Sequence, residues 1–180
     1  PRRIISGIML TLLLVSMLTF AFNVQQVKAS PETIYIRADG SIDPQTAPIS
    51  SVDNVTYTFT GDIYESIVVQ RNNIVVDGAG HTVEGTGAIY SKGITLSGRS
   101  NVTIKNMEIK AFYYGIWLGS SSYNSICENN ITNNNEGIKL ISSNYNIISG
   151  NNVTDNDCGI YLSSSSSNTV SENNITYNNY

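Results

Sequence analysis

Four consecutive segments of 22 residues align without a gap: Gly93–Tyr114, Gly115–Glu136, Gly137–Cys158 and Gly159–Tyr180. A fixed period of this length marks a solenoid, in which each unit buries its apolar face only by stacking on its neighbours. Columns follow from the alignment. Gly93, Gly115, Gly137 and Gly159 open each unit, and Ile94, Ile116, Ile138 and Ile160 follow. Leu96, Leu118, Leu140 and Leu162 form the next inward column, so Gly-Ile-x-Leu has the period of two of a short half-buried strand. Two more apolar columns, Ile104/Ile126/Ile148/Val170 and Ile109/Ile131/Val153/Ile175, give three short strands per unit.

Three strands per turn around one core predict an all-β fold, a single-stranded parallel β-helix with 22-residue coils and strands about 4.8 Å apart. Leucine-rich repeats need several Leu and a helical piece per unit; here each unit has one Leu at a fixed column. The Asn columns are expected as structural ladders: Asn124/Asn146/Asn168 and Asn129/Asn151/Asn173, with Asn130/Asn152/Asn174 beside the second. Asn suits left-handed turns, and stacked copies bond along the axis. A polar ligand stripe is the competing reading.

Before the repeats, TIYIR (33–37) and NVTYTFT (54–60) alternate as strands, with turn signals at Asp39-Gly40 and Asp43-Pro44. Residues 30–62 are expected as an N-terminal β cap over the open strand edge, and 63–92 as imperfect first coils. Coils 63–180 are expected to continue past the last residue. The chain starts at Pro1 rather than Met and ends at the close of a repeat, which reads as a fragment.

Residues 1–29 read as one hydrophobic signal or anchor helix. Arg2 and Arg3 precede an apolar run from Ile4 to Phe22, and Val27-Lys28-Ala29 suits cleavage. The run is also just long enough to span a bilayer, so a retained anchor at 4–22 is the alternative and the only expected membrane contact. Either way the remainder is extracytoplasmic: secreted, periplasmic or cell-surface. Arg2, Arg3 and Lys28 are three of the ten Lys and Arg; the seven left face fourteen Asp and Glu, a balance of −7. That excludes nucleic acid as a partner, since binding it relies on basic surface. Five Asn-x-Thr sequons stand at Asn54, Asn101, Asn130, Asn152 and Asn174.

VVDGAGHTVEG (75–85) resembles the first-coil motif of right-handed β-helix proteins. With the GIxL…N…NNIT repeats, residues 32–180 resemble the NosD-type β-helix repeat family of the pectin-lyase-like superfamily. The resemblance implies a right-handed winding, in line with general chirality preferences. It also implies a periplasmic or surface role: the namesake is associated with copper-site maturation, while others bind or cleave polysaccharide.

Catalysis by glycoside hydrolysis needs two carboxylates flanking the bond. Glu128 and Glu172 share a column two units apart, about 9.6 Å by strand spacing. Both flank Asn-rich turns and read as solvated turn acids. A lyase would want a basic residue beside clustered acids, and Lys139 stands alone on its strand. No catalytic residue, metal site or cofactor is therefore expected, and a polysaccharide-active enzyme is a secondary reading. For copper the soft donors would be His81, Met107, Cys127 and Cys158, scattered over separate units. The two cysteines fall in different columns, too far apart for a disulfide.

Recognition is the best specific reading. The column between Ile and Leu carries Thr95, Trp117, Lys139 and Tyr161 outward, with Tyr113, Tyr114, Tyr123 and Tyr145 nearby. Aromatics on a flat sheet stack on sugar rings, which makes Trp117, Lys139 and Tyr161 the expected ligand-binding residues, and polysaccharide or cell-surface glycan the expected partner. A structural stalk or surface-layer module is the rival, in which these rings only suit strands.

Overall fold

The computed structural model describes residues 33–180; the expected signal or anchor at 1–29 lies outside the described residues. The irregular N-terminal part holds β1 (Ile34–Ile36), β2 (Ile42–Asp43), β3 (Ile49–Ser50), β4 (Thr56–Phe59), β5 (Ile67–Val69), β6 (Ile74–Asp77) and β7 (Thr82–Glu84). Each later unit then gives three strands. These are β8 (Lys92–Ser97), β9 (Val102–Lys105) and β10 (Glu108–Lys110); β11 (Tyr114–Gly119), β12 (Ser125–Cys127) and β13 (Asn130–Thr132). The last two units give β14 (Glu136–Ile141), β15 (Ile147–Ser149), β16 (Asn152–Thr154), and β17 (Cys158–Ser163), β18 (Thr169–Ser171), β19 (Asn174–Thr176). Among the described residues there is no helix.

Every third strand joins one sheet, so the chain winds as a parallel β-solenoid of about 6 turns with three faces. The first face runs β1-β5-β8-β11-β14-β17, the second β4-β6-β9-β12-β15-β18, and the third β7-β10-β13-β16-β19. Registers match the repeat: Ile94 pairs with Ile116, Ile116 with Ile138 and Ile138 with Ile160.

The segment 33–63 is itself a turn of the solenoid. Ile34 pairs in parallel with Ile67, Thr56 with Val75, and Ile63 bridges Val83. Its two excursions close the exposed edges: β2 pairs antiparallel with β1, and β3 with β4.

Inside, two apolar columns come from the first sheet and one from each of the other two. Ile116, Leu118, Ile126, Ile131, Ile138, Leu140, Ile148 and Val153 are fully buried. In the last coil the pattern loosens. Ile160 is only partly buried and Leu162 is 40% exposed, against the expectation of burial, because no further turn covers that end of the described stack.

Polar ladders fill the corners. Asn124 donates its backbone N–H and its Nδ2 to Asn146 Oδ1 at 2.9 and 3.0 Å, and Asn146 repeats this on Asn168. Asn129, Asn151 and Asn173 do the same. A further buried ladder, Asn134/Asn156/Asn178, and a Ser ladder, Ser121/Ser143/Ser165, were not foreseen. The left-handed residues are not the ladder Asn but those just before them. Tyr123, Glu128 and Asn133 have φ of 60°, 58° and 55°, and each turns the chain so that the next side chain points inward. The column Asn130/Asn152/Asn174 faces outward and bonds along the third face.

Candidate functional site

The repeat opens with Gly because the chain turns inward there twice in succession. In β14, Gly137 and Ile138 both face the core, so the alternation slips by one. A Cβ on Gly115 would stand 2.6 Å from the Gly137 carbonyl oxygen of the next coil. The slip has a consequence for the first face: Glu136 and Lys139, three residues apart, both point outward.

Two outward columns therefore lie side by side. One is Lys92, Tyr114, Glu136 and Cys158; the other is Thr95, Trp117, Lys139 and Tyr161. The structure thus brings Trp117, Lys139 and Tyr161 into one register on adjacent coils. Lys139 does not stand alone, however. Its Nζ lies 2.8 Å from Glu136 Oε1 and 4.7 Å from the ring centres of both Tyr114 and Tyr161. Burial pushes the Lys139 ammonium down, but the Glu136 hydrogen bond and charge outweigh it and hold its pKa above the ordinary value. Cys158, the next step of the Glu136 column, has its thiol pushed up by burial and by that carboxylate.

Trp117 lies along the strand over Gly119, where a Cβ would run into the indole. Lys92 Nζ stands 3.8 Å from its ring centre. Tyr114 meets Tyr113 edge-on at 4.7 Å, and Tyr113 meets Tyr90 at 5.3 Å. Tyr90 sits in a longer corner: Val83 to Ile94 spans four residues more than Ile109 to Ile116, and the loop exposes Ile89 and Tyr90. Aromatic rings thus run from that loop to the coil of Tyr114 and Trp117, and beyond the coil of Glu136 and Lys139 stands Tyr161, which is 43% exposed. Tyr123 and Tyr145 stack at 5.1 Å on the next corner and are exposed.

The candidate carboxylate pair stands apart from this face. Glu128, Gly150 and Glu172 occupy one left-handed turn column with φ of 58°, 66° and 59°, and both acids are solvent-exposed. A 620 Å³ pocket beside Glu128 is lined also by Thr82, Met107, Glu108 and Asn130. Its Glu108 is already bonded to Thr82 and paired with Lys110. The soft donors point to different places. His81 pairs with Asp62 on a turn, Met107 is buried in the core, Cys127 lies on the second face and Cys158 on the first. Both cysteines are free. Among the described residues no three His, Cys, Asp or Glu gather as a metal site. Of the sequons, Asn54 and Asn101 are exposed left-handed residues, whereas the other three lie in the outward Asn column.

A family model described as periplasmic copper-binding protein (NosD) matches residues 24–180, spanning all the described coils. The chain belongs to the NosD family. No curated protein and no solved structure matches it. As a NosD-family member with this solenoid, it is an exported β-helix protein with an extracytoplasmic location.

Proposed function

We propose that this chain is a right-handed β-helix recognition module, without catalytic activity, that binds polysaccharide or a cell-surface glycan across its first face. The observation that supports the reading is the set of aromatic rings there: Trp117 and Tyr161 in register two coils apart, with Tyr161 linked through Lys139 to Tyr114, and Tyr114 through Tyr113 to the exposed loop at Tyr90. Two coils rise about 9.6 Å, close to two pyranose units, so an extended glycan along the axis meets both rings. Lys139 takes a different part from a free cation. With its charge met by Glu136, it holds Tyr161 and Tyr114 in place.

A stalk or surface-layer role is the second reading. It is favoured by the same lysines, since Lys92 on Trp117 and Lys139 on Tyr161 also stitch neighbouring coils together. Copper, named in the family's description, does not fit the donors described: imidazole, thioether and thiols lie on separate faces or in the core, and a copper site needs them to converge.

A glycan array read with the exported protein and with Trp117→Ala tests the proposal. Binding that the substitution abolishes supports it. Binding that the substitution leaves intact moves the site off this face, and no binding at all leaves the stalk reading in its place.

A further inference from the structure

Two lysines touch aromatic rings on the first face, and only one is neutralised. Lys139 is held by Glu136. Lys92 has its Nζ 3.8 Å from the Trp117 ring centre, and among the described residues it forms no ion pair. The nearest acid in sequence register on the coil below, Glu65, is turned to its own backbone, where Oε2 accepts from the Tyr64 N–H at 3.1 Å. So an ammonium without a carboxylate stands beside the one tryptophan of the chain.

An ammonium resting on a ring is weakly held compared with one hydrogen-bonded to a carboxylate. A ligand that brings an anion to this spot gains the stronger bond. It also frees the indole face that Lys92 shares, so the same ligand can lean its sugar C–H surface on Trp117. At the far end of the array the charge situation reverses. Glu136 occupies Lys139, and Asp157 lines the 420 Å³ pocket shared by Cys158 and Tyr161. A polyanion laid along the face would be repelled there, while a glycan with one acid among neutral sugars would not.

We propose that Lys92 and Trp117 form an anion-selecting subsite, at which a glycan places an acidic sugar with its carboxylate or sulfate on Lys92 Nζ and its ring on Trp117. The inference rests on the glycan-binding reading of the first face and adds the class of sugar it selects. Lys92 is then the residue that sets specificity, and Trp117 the platform.

The test uses the exported protein and three oligosaccharides of equal length: a neutral hexose oligomer, the same oligomer with one uronate, and one with one sulfate ester. Affinities are measured at low salt for the wild type, Lys92→Gln, Lys92→Arg and Trp117→Ala. The expected result is an affinity for an acidic oligomer about tenfold above the neutral one. Lys92→Gln should erase that difference, and Lys92→Arg should retain the preference. Whichever acidic oligomer binds tighter separates carboxylate from sulfate as the group taken. Equal binding of neutral and acidic oligomers by the wild type overturns the Lys92 assignment and leaves the glycan face standing. So does a preference that survives Lys92→Gln. If none of the three binds, both readings fall together.

Discussion

Lys139 and Glu136 form an ion pair that is nearly closed to solvent, with 14% and 17% of their side chains exposed. They meet because Gly137 and Ile138 both turn inward between them. Glu136 Oε2 has no donor of its own, so the pair is already short of hydrogen bonds. Removing one partner of such a pair strands the other charge, whereas replacing both is far milder. Lys139→Met should therefore cost roughly 2–4 kcal/mol. The double variant Glu136→Gln/Lys139→Met should be more stable than Lys139→Met alone. Urea unfolding of the four proteins in this cycle gives the coupling, and additive losses would contradict it.

The buried and exposed Asn ladders should differ sharply. Asn146 accepts from Asn124 twice and donates to the Ser121 carbonyl at 3.0 Å, all inside the stack. Asn146→Ala leaves those groups unpaired where water cannot reach and should cost roughly 2–4 kcal/mol. Asn152 bonds Asn130 and Asn174 on the outer face, so Asn152→Ala should cost no more than about 0.5 kcal/mol. Chemical denaturation of the two variants decides it, and equal losses would mean the inward ladder is not what holds the coils.

The core column allows a harsher test. Ile138 is fully exposed to its neighbours Ile116 and Ile160 in register and not at all to water. Ile138→Asp puts an unpaired charge into that apolar stack and should prevent folding of the adjoining coils. Circular dichroism showing an intact sheet spectrum and wild-type melting would refute the register.

Acid should weaken the early coils through Asp77. Burial pushes this carboxyl up, but the Ala79 N–H, the Asn106 amide and Lys105 together hold its pKa below the ordinary 3.8. A carboxyl depressed in the folded state adds stability that is present above pH 3.8 and is lost as pH falls through the lower folded value. Asp77→Asn should thus lower stability at pH 7 and narrow the gap between pH 7 and pH 2. Paired melts at these two pH values check it, and an unchanged gap would remove Asp77 from the acid response.

The coils from Gly93 onward were legible because the same residue recurs at the same column, and stacking turns each column into one environment. The turn at 33–63 was hidden by its excursions β2 and β3, which break the 22-residue spacing; only the pairing of Ile34 with Ile67 reveals it. The ladder Asn134/Asn156/Asn178 carried the same signal as those read, three Asn at a 22-residue spacing after an apolar residue one coil earlier, Phe112 here as Val102 and Met107 in the other two. The Glu136–Lys139 contact could not be read from alternation, since period two sends residues three apart to opposite faces. The inward Gly supplies the slip, and Lys92 reaches Trp117 across coils, which no linear spacing shows.

Trp117 is the only tryptophan in the chain, so its emission reports on the first face and on no other place. Titrating the exported protein with glycans that score on the array should give a saturable change in that emission, with midpoints between millimolar and micromolar, or about 4 to 8 kcal/mol of binding. A glycan that binds by calorimetry while leaving the Trp117 emission unchanged would contradict the account and place recognition elsewhere on the solenoid.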